Sequence, residues 1–130
     1  YVDWLEDVII RTVGRFGIDA HRDECAVGGW VTPEREGDAE ARETVDVPEG
    51  CAVPNRDAKI AAIGVRVKRW VTMHGLALNV DPNLDHFKLI VPCGLAGRPV
   101  TSMRQFLGPM CPTLREVKVA LTETMRDIGA

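Results

Sequence analysis

Residues 59–80 read KIAAIGVRVKRWVTMHGLALNV, and this stretch decides the fold. Lys59–Val67 is nearly continuous apolar sequence, and Trp70–Val80 is a second run of the same kind. Lys68 and Arg69 lie between them. Two β-rich runs separated by two polar residues predict an antiparallel hairpin with a tight turn at those two residues.

In this register, one side of the ribbon carries only small side chains. Ala62 would face Gly75, and Ile60 would face Ala77, so that Ala62 and Gly64 lie beside Gly75 and Ala77. Glycine inside a strand weakens it and often marks the close approach of a ligand or of another backbone. The pattern therefore predicts either the floor of a ligand site or a surface for helix packing.

Other elements flank the hairpin on both sides. Leu5–Phe16 keeps helical spacing with acids early and arginines late, and Gly17 is a natural stop. Ala26–Thr32 is a short apolar run that predicts a strand. Ser102–Leu107 predicts a short helix, and Thr113–Glu116 is a capping box that begins the last helix. The chain is therefore expected to be an α+β protein.

Composition places the chain among ordinary globular domains. It has 130 residues, of which 45% are hydrophobic and 27% are charged, which suits one domain with a modest core. The net charge of −3 argues against a nucleic-acid binder. No apolar run approaches the roughly 18 residues of a membrane span. Residues 33–57 hold eight acidic and three basic side chains and no sustained apolar period, which predicts a polar acidic insertion in a solvated loop.

The four cysteines show neither zinc-ligand nor redox spacing. They are Cys25, Cys51, Cys93 and Cys111. Their low density does not suit a disulfide scaffold, so we expect free thiols in a reducing compartment and no metal site.

Cys93 stands between Pro92 and Gly94, directly after a run of β-branched residues. A sharp loop of this kind can hold a thiolate nucleophile next to free backbone amides, although a lone cysteine is commonly a buried structural residue. Lys59 is its natural partner because it begins an otherwise apolar strand. Such a lysine can serve as a base or stabilise a thiolate, or it can be a solvated residue at the strand edge.

Two further features have open interpretations. The position of His74 inside a strand favours a hydrogen-bonded core histidine over a general base. A set of basic residues at and beyond the hairpin turn predicts either a docking surface for an acidic protein or a solvated turn. The set consists of Arg66, Lys68, Arg69, Arg98 and Arg104.

Three stretches carry a family resemblance: KIAAIGVRVKRWVTMHGLALNV, LDHFKLIVPCGL and GRPVTSM. Together they resemble the C-terminal half of the lipoyl(octanoyl) transferase family. Lys59 opens K-I-A-A-I-G, His-Gly-Leu-Ala follows at 74–77, and Pro-Cys-Gly comes next in the family's order, with Cys93 16 residues after Ala77. The resemblance runs from the first helix to the last and is interrupted only by the acidic segment.

The resemblance implies an acyltransferase that moves an octanoyl or lipoyl group in protein lipoylation. Cys93 matches the cysteine that holds the acyl group as a thioester, and Lys59 matches the lysine that tunes that thiol. The two segments that line the acyl site match Ala62, Ile63 and Gly64, together with Gly75, Leu76 and Ala77. The implied fold is the mixed-sheet α/β type of biotin and lipoate protein ligase catalytic domains.

The resemblance also implies the partners. The donor would be octanoyl-acyl carrier protein, and the acceptors would be lipoyl domains of 2-oxoacid dehydrogenase complexes and the glycine cleavage H protein. No cofactor, metal, nucleic acid or membrane is implied, and a monomer is expected. The bacterial cytoplasm, the mitochondrial matrix and the plastid stroma all suit such an enzyme.

Residues 1–130 are expected to be the C-terminal part of a single catalytic domain. The chain begins with Tyr1 inside a helical pattern, and the family's upstream Arg-Gly-Gly and His-Gly-Pro-Gly-Gln region does not occur in it. Two alternatives stay open. One is an ATP-dependent ligase of the lipoate or biotin type, and the other is a carrier-protein docking module without catalysis.

Overall fold

The computed structural model describes residues 1–34, 57–90 and 98–129. Within them, four strands form one antiparallel sheet in the order β1-β2-β3-β4. The strands are β1 Ala20–His21, β2 Gly29–Val31, β3 Ala58–Lys68 and β4 Val71–Leu78. The α-helices are α1 Val2–Gly14, α2 Met103–Leu107 and α3 Leu114–Gly129, and 3₁₀ helices cover Leu84–Leu89 and Gly108–Met110. The α+β class is confirmed.

The predicted hairpin is present, but its register differs from the prediction. Ala62 pairs with Ala77 and Gly64 with Gly75, so the two turn residues are Arg69 and Trp70. Each residue of β3 therefore pairs with a β4 residue two positions beyond the predicted partner. Because side chains alternate with a period of two, each face of the ribbon keeps the same side chains. The four small residues therefore still share one face.

Helix α1 packs against the sheet through an apolar stripe. Asp3 lies in its first turn and Arg11 in its last, as the helix dipole prefers. Gly17 follows in a turn with φ +84°, a left-handed conformation that suits glycine. The hydrophobic core between α1 and the sheet contains residues of all three α-helices, of β1, β2 and β3, and of the adjoining loops. They are Ile9, Val13, Ile18, Ala20, Val31, Ala58, Ile60, Ala61, Val80, Met103 and Val117.

The last two helices lie where the sequence predicts them, although α2 begins at Met103 and not at Ser102. The Ser102 side chain caps α2, and Gly108 ends that helix with φ +52°. In the capping box of α3, the Thr113 backbone N–H donates to Glu116 over 2.7 Å, and the Glu116 N–H donates back to the Thr113 hydroxyl over 3.3 Å.

The sequence of α3 predicts one apolar stripe, and the structure buries a different set of side chains. The predicted stripe consists of Leu114, Val117, Leu121, Met125 and Ile128. The buried residues of the helix are Val117, Ala120 and Thr124, whereas Leu114 is exposed. The helix is therefore turned slightly about its axis relative to the predicted apolar face.

Most of the acidic insertion, residues 35–56, lies outside the described residues. Its last residue, Asp57, is buried and accepts a hydrogen bond from the Thr32 hydroxyl at 2.7 Å. Nε2 of His21 lies 2.7 Å from the same carboxylate. The prediction of a solvated segment is therefore wrong at Asp57.

The cysteines only partly follow the prediction of free thiols. Cys111 is free, but Cys25 is disulfide-bonded, so the prediction is wrong for Cys25. Cys51 and Cys93 lie outside the described residues. Across residues 1–34, 57–90 and 98–129, no helix has the length and apolarity needed to cross a membrane.

Candidate acyl-transfer site

A β-bulge sets the direction of Lys59. Trp30 pairs with Lys59, but its neighbour Gly29 pairs with Ala61, so β3 has one extra residue, Ile60, at this point. Paired residues point to the same face of a sheet, and adjacent residues on a strand point to opposite faces. Lys59 and Ala61 therefore point to opposite faces, although they are two positions apart.

The face that Lys59 shares is the one turned away from α1. A Cβ atom on Gly29 would lie 2.5 Å from Cγ2 of Ile9 and 3.3 Å from the Cβ of Ala61, so Gly29 and Ala61 face the helix. Lys59 lies on the other face together with Ala62, because side chains alternate again after the bulge. The bulge thus brings the predicted catalytic lysine and the predicted small-residue floor to one side of the sheet.

The floor itself is built from two directly opposed pairs. Ala62 pairs with Ala77, and Gly64 pairs with Gly75. A Cβ atom on either glycine would meet no atom of the described residues within 4 Å. Within the described part of the chain, no helix packs on this floor at the glycines, and the helix-packing interpretation is not supported.

The other two predicted substrate-binding residues lie on the opposite face. Ile63 pairs with Leu76, and both side chains pack against the hydrophobic core. Ile63 and Leu76 therefore hold the two strands to the core, while the four small residues form the surface of the other face.

Lys59 is almost buried against an aromatic ring. Only 7% of the residue is exposed, and its Nζ lies 5.1 Å from the centroid of the Trp30 ring. Trp30 is fully buried, and its indole N–H donates to the Ala26 carbonyl over 2.7 Å. A cation over the face of a tryptophan is attracted by the ring quadrupole. The Trp30 ring therefore gives Lys59 a fixed position.

Gly28 provides space for the lysine stem. It has φ +142°, and a Cβ atom there would lie 2.7 Å from both Cε of Lys59 and the Ala61 carbonyl oxygen. The Gly28 N–H donates to the carboxylate of Glu6 on α1 over 3.1 Å. Arg22 forms an ion pair with Glu6 at 3.1 Å. Helix α1 thus anchors the backbone that contacts Lys59.

A second cation, Arg98, lies on the same aromatic ring. Its Cζ is 3.7 Å from the Trp30 centroid, and its guanidinium contacts Asp23 at 2.6 Å. Burial by itself raises the pKa of Asp23, but hydrogen bonds from Arg98 and from the N–H groups of Cys25 and Ala26 outweigh it, so the pKa lies below its ordinary value. Arg98 is therefore a half-buried structural cation, held by Asp23 and the Trp30 ring, and does not belong to an open basic surface, which corrects one part of that prediction.

The backbone of Lys59 joins β3 to the segment that follows residues 91–97. Its N–H donates to the Pro99 carbonyl over 2.8 Å, and its carbonyl accepts from the Thr101 N–H over 2.9 Å. Val100 forms a parallel bridge with Lys59. Cys93, the predicted nucleophile, lies outside the described residues.

A comparison with protein families decides the relationship. The model of the lipoyl protein ligase A/B catalytic domain matches residues 1–126. The chain belongs to this family. The ligase-type catalytic-domain fold that the sequence resemblance implies is therefore confirmed.

Curated relatives of this lipoyl protein ligase A/B domain carry the name octanoyltransferase. The chain is 44% identical over 128 residues to the protein of Paramagnetospirillum magneticum, covering 98% of this chain and 50% of that protein. It is 40% identical over 129 residues to that of Chelativorans sp., covering 98% of this chain and 47% of the relative. It is 45% identical over 122 residues to that of Koribacter versatilis, covering 94% of this chain and 40% of the relative. The chain thus spans about half the length of these relatives.

His74 and Cys111 are two further residues of the ligase A/B domain with titratable side chains. His74 is exposed on β4 with φ +71°, so the interpretation as a core histidine is wrong. Burial raises the pKa of the Cys111 thiol, an effect that the nearby Arg104 only partly offsets. Cys111 is therefore poorly suited to act as a thiolate nucleophile.

Sequence reasoning missed the groups that position Lys59. For Gly28 and Trp30 the sequence pattern predicts only a short strand, and for Arg98 it predicts either a docking surface or a solvated turn. The run Gly28-Gly29-Trp30 offers a signal, because two glycines beside a large aromatic residue indicate a close approach to another chain segment.

Proposed function

We propose that the protein containing this chain is an octanoyltransferase of protein lipoylation. It transfers an octanoyl or lipoyl group from acyl carrier protein, through a thioester on Cys93, to one specific lysine of a lipoyl domain. Residues 1–130 form the C-terminal part of its catalytic domain. Lipoyl domains of 2-oxoacid dehydrogenase complexes and the glycine cleavage H protein are the acceptors.

One observation carries this proposal. The bulge at Ile60 puts the nearly buried Lys59 on the same side of the sheet as the floor formed by Ala62, Gly64, Gly75 and Ala77. A floor with almost no side chains leaves room for the extended aliphatic part of an acyl group. Lys59 lies at the turn-distal end of β3, where the thioester carbonyl of that acyl group would lie. Bulges of this kind commonly redirect a side chain beside an active site.

In the first half-reaction, the Cys93 sulfur attacks the carbonyl carbon of the carrier thioester. Lys59 accepts the thiol proton, and N–H groups next to Cys93 stabilise the oxyanion. The bond from the carbonyl carbon to the carrier sulfur then breaks, and the carrier thiolate leaves with the proton returned by Lys59. This step uses Lys59 as a neutral amine, which holds the proton between the two transfers.

In the second half-reaction, the amine of the acceptor lysine attacks the acyl-cysteine. The amide bond forms, the bond to the Cys93 sulfur breaks, and the amine proton passes through Lys59 to that sulfur. The first step exchanges one thioester for another at little cost, and the second step gives a more stable amide. The reaction therefore needs no ATP, which separates it from a ligase.

Intact mass of the whole protein tests the scheme. Incubation with octanoyl-acyl carrier protein, without nucleotide or acceptor, should add one octanoyl group to the wild type. The Cys93→Ser variant should gain no thioester, whereas the Cys111→Ser control should be acylated like the wild type.

Each other outcome has a definite meaning. Full octanoyl transfer by Cys93→Ser would exclude the covalent scheme. Transfer that occurs only with ATP would identify a ligase. Binding of the carrier without any adduct would identify a docking module.

A further inference from the structure

The turn of the β3–β4 hairpin has a conformation that its residues do not favour. Arg69 and Trp70 both have positive φ, at 52° and 65°. Positive φ at both central residues is the signature of a type I′ turn, which Asn-Gly forms readily and bulky residues do not. Trp70 is also 98% exposed. Strained backbone that displays a large side chain to solvent commonly marks a functional contact.

The same end of the hairpin carries uncompensated positive charge. Arg66, Lys68 and Arg69 are exposed, and residues 58–80 contain no aspartate or glutamate. No residue of the described part of the chain forms an ion pair with any of the three. Arg104 differs, because it contacts Asp81 at 2.9 Å. Three open cations on one hairpin attract a negatively charged surface.

Apolar side chains complete this surface, which we call the hairpin tip and define as residues 66–73. Val71 and Met73 are exposed and pair with Lys68 and Arg66, so they share one face of the ribbon with these two cations, while Val67 is exposed on the other face. Tryptophan and arginine are the residue types that most often dominate binding energy in protein interfaces, and methionine is also enriched there. A solvated turn would not need this combination.

We propose that the hairpin tip docks the acidic carrier protein that donates the acyl group. Its basic residues would meet acidic side chains of the carrier, and Trp70 would enter an apolar depression between them. This inference rests on the proposed function, and it adds the surface that selects the donor.

The distance between the hairpin tip and Lys59 favours the donor over the acceptor. Arg66 lies seven residues from Lys59 along β3, or about 20 Å at the rise of an extended strand. An acceptor lysine must bring its own amine to the acyl-cysteine, so its protein has to sit against the site. A donor that carries its acyl group on a flexible prosthetic arm can dock at this distance.

Charge reversal in the whole protein tests the proposal. The tip variant Arg66→Glu/Lys68→Glu/Arg69→Glu should lower kcat/KM for octanoyl-acyl carrier protein by on the order of 10-fold or more, and raise the Kd of the carrier equally. The matched control is Arg115→Glu/Lys118→Glu/Arg126→Glu on the exposed face of α3, which should behave like the wild type. Octanoyl-pantetheine, a small thioester donor, should react equally well with all three proteins.

A second variant separates docking from folding. Arg69→Asn/Trp70→Gly gives the turn the residues that its backbone prefers, so Tm should stay equal or rise. Carrier Kd should nevertheless rise severalfold, because the exposed tryptophan is gone.

Several results would overturn the proposal. These are an unchanged carrier Kd in both tip variants, an equal loss with octanoyl-pantetheine, a change confined to the KM of the lipoyl domain, or a drop in Tm that shows the tip packed inside the whole protein. Failure of the proposed function is a separate result, since the wild type would then transfer octanoate from neither donor while carrier Kd could still be measured.

Discussion

Trp30 and Lys59 are paired residues on β2 and β3, and the Lys59 ammonium lies over the indole ring, 5.1 Å from its centroid. The ring is held in turn by the hydrogen bond from its N–H to Ala26 and by the guanidinium of Arg98, 3.7 Å from the same centroid. The lysine is therefore positioned by a rigid aromatic side chain that is itself fully buried.

Two replacements of Trp30 should show separately what its indole N–H contributes to stability and what its aromatic ring contributes to acyl transfer. Trp30→Phe leaves the Ala26 carbonyl without its donor and should lower the free energy of unfolding by about 1–3 kcal/mol, measured in urea. Trp30→Leu also removes the π-face beneath Lys59, so acyl transfer should fall further than in Trp30→Phe. Trp4→Phe, at a partly exposed indole, is the control and should leave transfer unchanged. Equal transfer rates in the Leu and Phe variants would show that the ring face does not matter.

Lys59→Ala should lower kcat/KM for transfer on the order of 100-fold, the size expected when a proton-transfer group is lost. The protein should still fold, because the backbone hydrogen bonds from Lys59 to Pro99 and Thr101 do not involve the side chain. Circular dichroism checks the fold, and Lys118→Ala on α3 is the matched control. A variant with near wild-type transfer would remove Lys59 from the mechanism.

Two glycine-to-alanine changes should have opposite signs. Gly28→Ala combines positive φ with a collision at the Ala61 carbonyl, and should cost about 3 kcal/mol. Gly14→Ala lies on α1 with no atom of the described residues within 4 Å of the new Cβ, and should stabilise by about 0.5 kcal/mol. Urea unfolding of both variants compares them directly. A neutral Gly28→Ala would mean that the lysine stem is not confined there.

Local sequence signals predicted local structure well. The capping box at Thr113 and Glu116, the short helix that ends at Leu107 and the α1 helix are confirmed because each depends on neighbouring residues. The hairpin was also predicted, but its turn was misplaced by one residue. Arg69 and Trp70 have positive φ, but neither is a glycine or an asparagine, the residues that normally indicate this conformation. The sequence pattern therefore could not show which two residues form the turn.

The geometry of the site depends on features that sequence patterns do not contain. The run Ile60–Ile63 is so uniformly apolar that the extra residue at Ile60 leaves no break in alternation, and only strand pairing reveals it. The contact between Asp23 and Arg98 joins residues 75 positions apart. The family resemblance identified Lys59 as a catalytic candidate, whereas the groups that hold it had to come from packing.

Filling the small-residue floor should block the acyl chain without harming the fold. Gly64→Leu adds a side chain where the described residues leave open space and where the backbone is ordinary strand, so stability should change by less than about 0.5 kcal/mol. Transfer of octanoate should fall on the order of 10-fold or more, since the aliphatic chain loses its place. Val65→Leu, on the opposite face, should leave transfer unchanged. Normal octanoate transfer by Gly64→Leu would place the acyl site elsewhere.

The pair formed by Asp23 and Arg98 should make stability depend on acid. The Asp23 side chain is only 6% exposed, and its pKa in the folded protein lies below the ordinary value of 3.8. The native state therefore holds the carboxylate more strongly than the unfolded chain does. The resulting stability is complete above about pH 5 and is lost as the pH falls below 3.8 through the folded-state pKa.

A double-mutant cycle measures this contribution. Asp23→Asn should cost about 2 kcal/mol at pH 7, and the cost should shrink as the pH falls below 4. In an Arg98→Met background, the carboxylate keeps its burial but loses the guanidinium, so the same Asp23→Asn change should become neutral or stabilising at pH 7. Urea unfolding at pH 7 and pH 3 measures the free energy of unfolding of the wild type, the two single variants and the double variant. An equal cost of Asp23→Asn with and without Arg98 would show that the guanidinium does not stabilise the carboxylate.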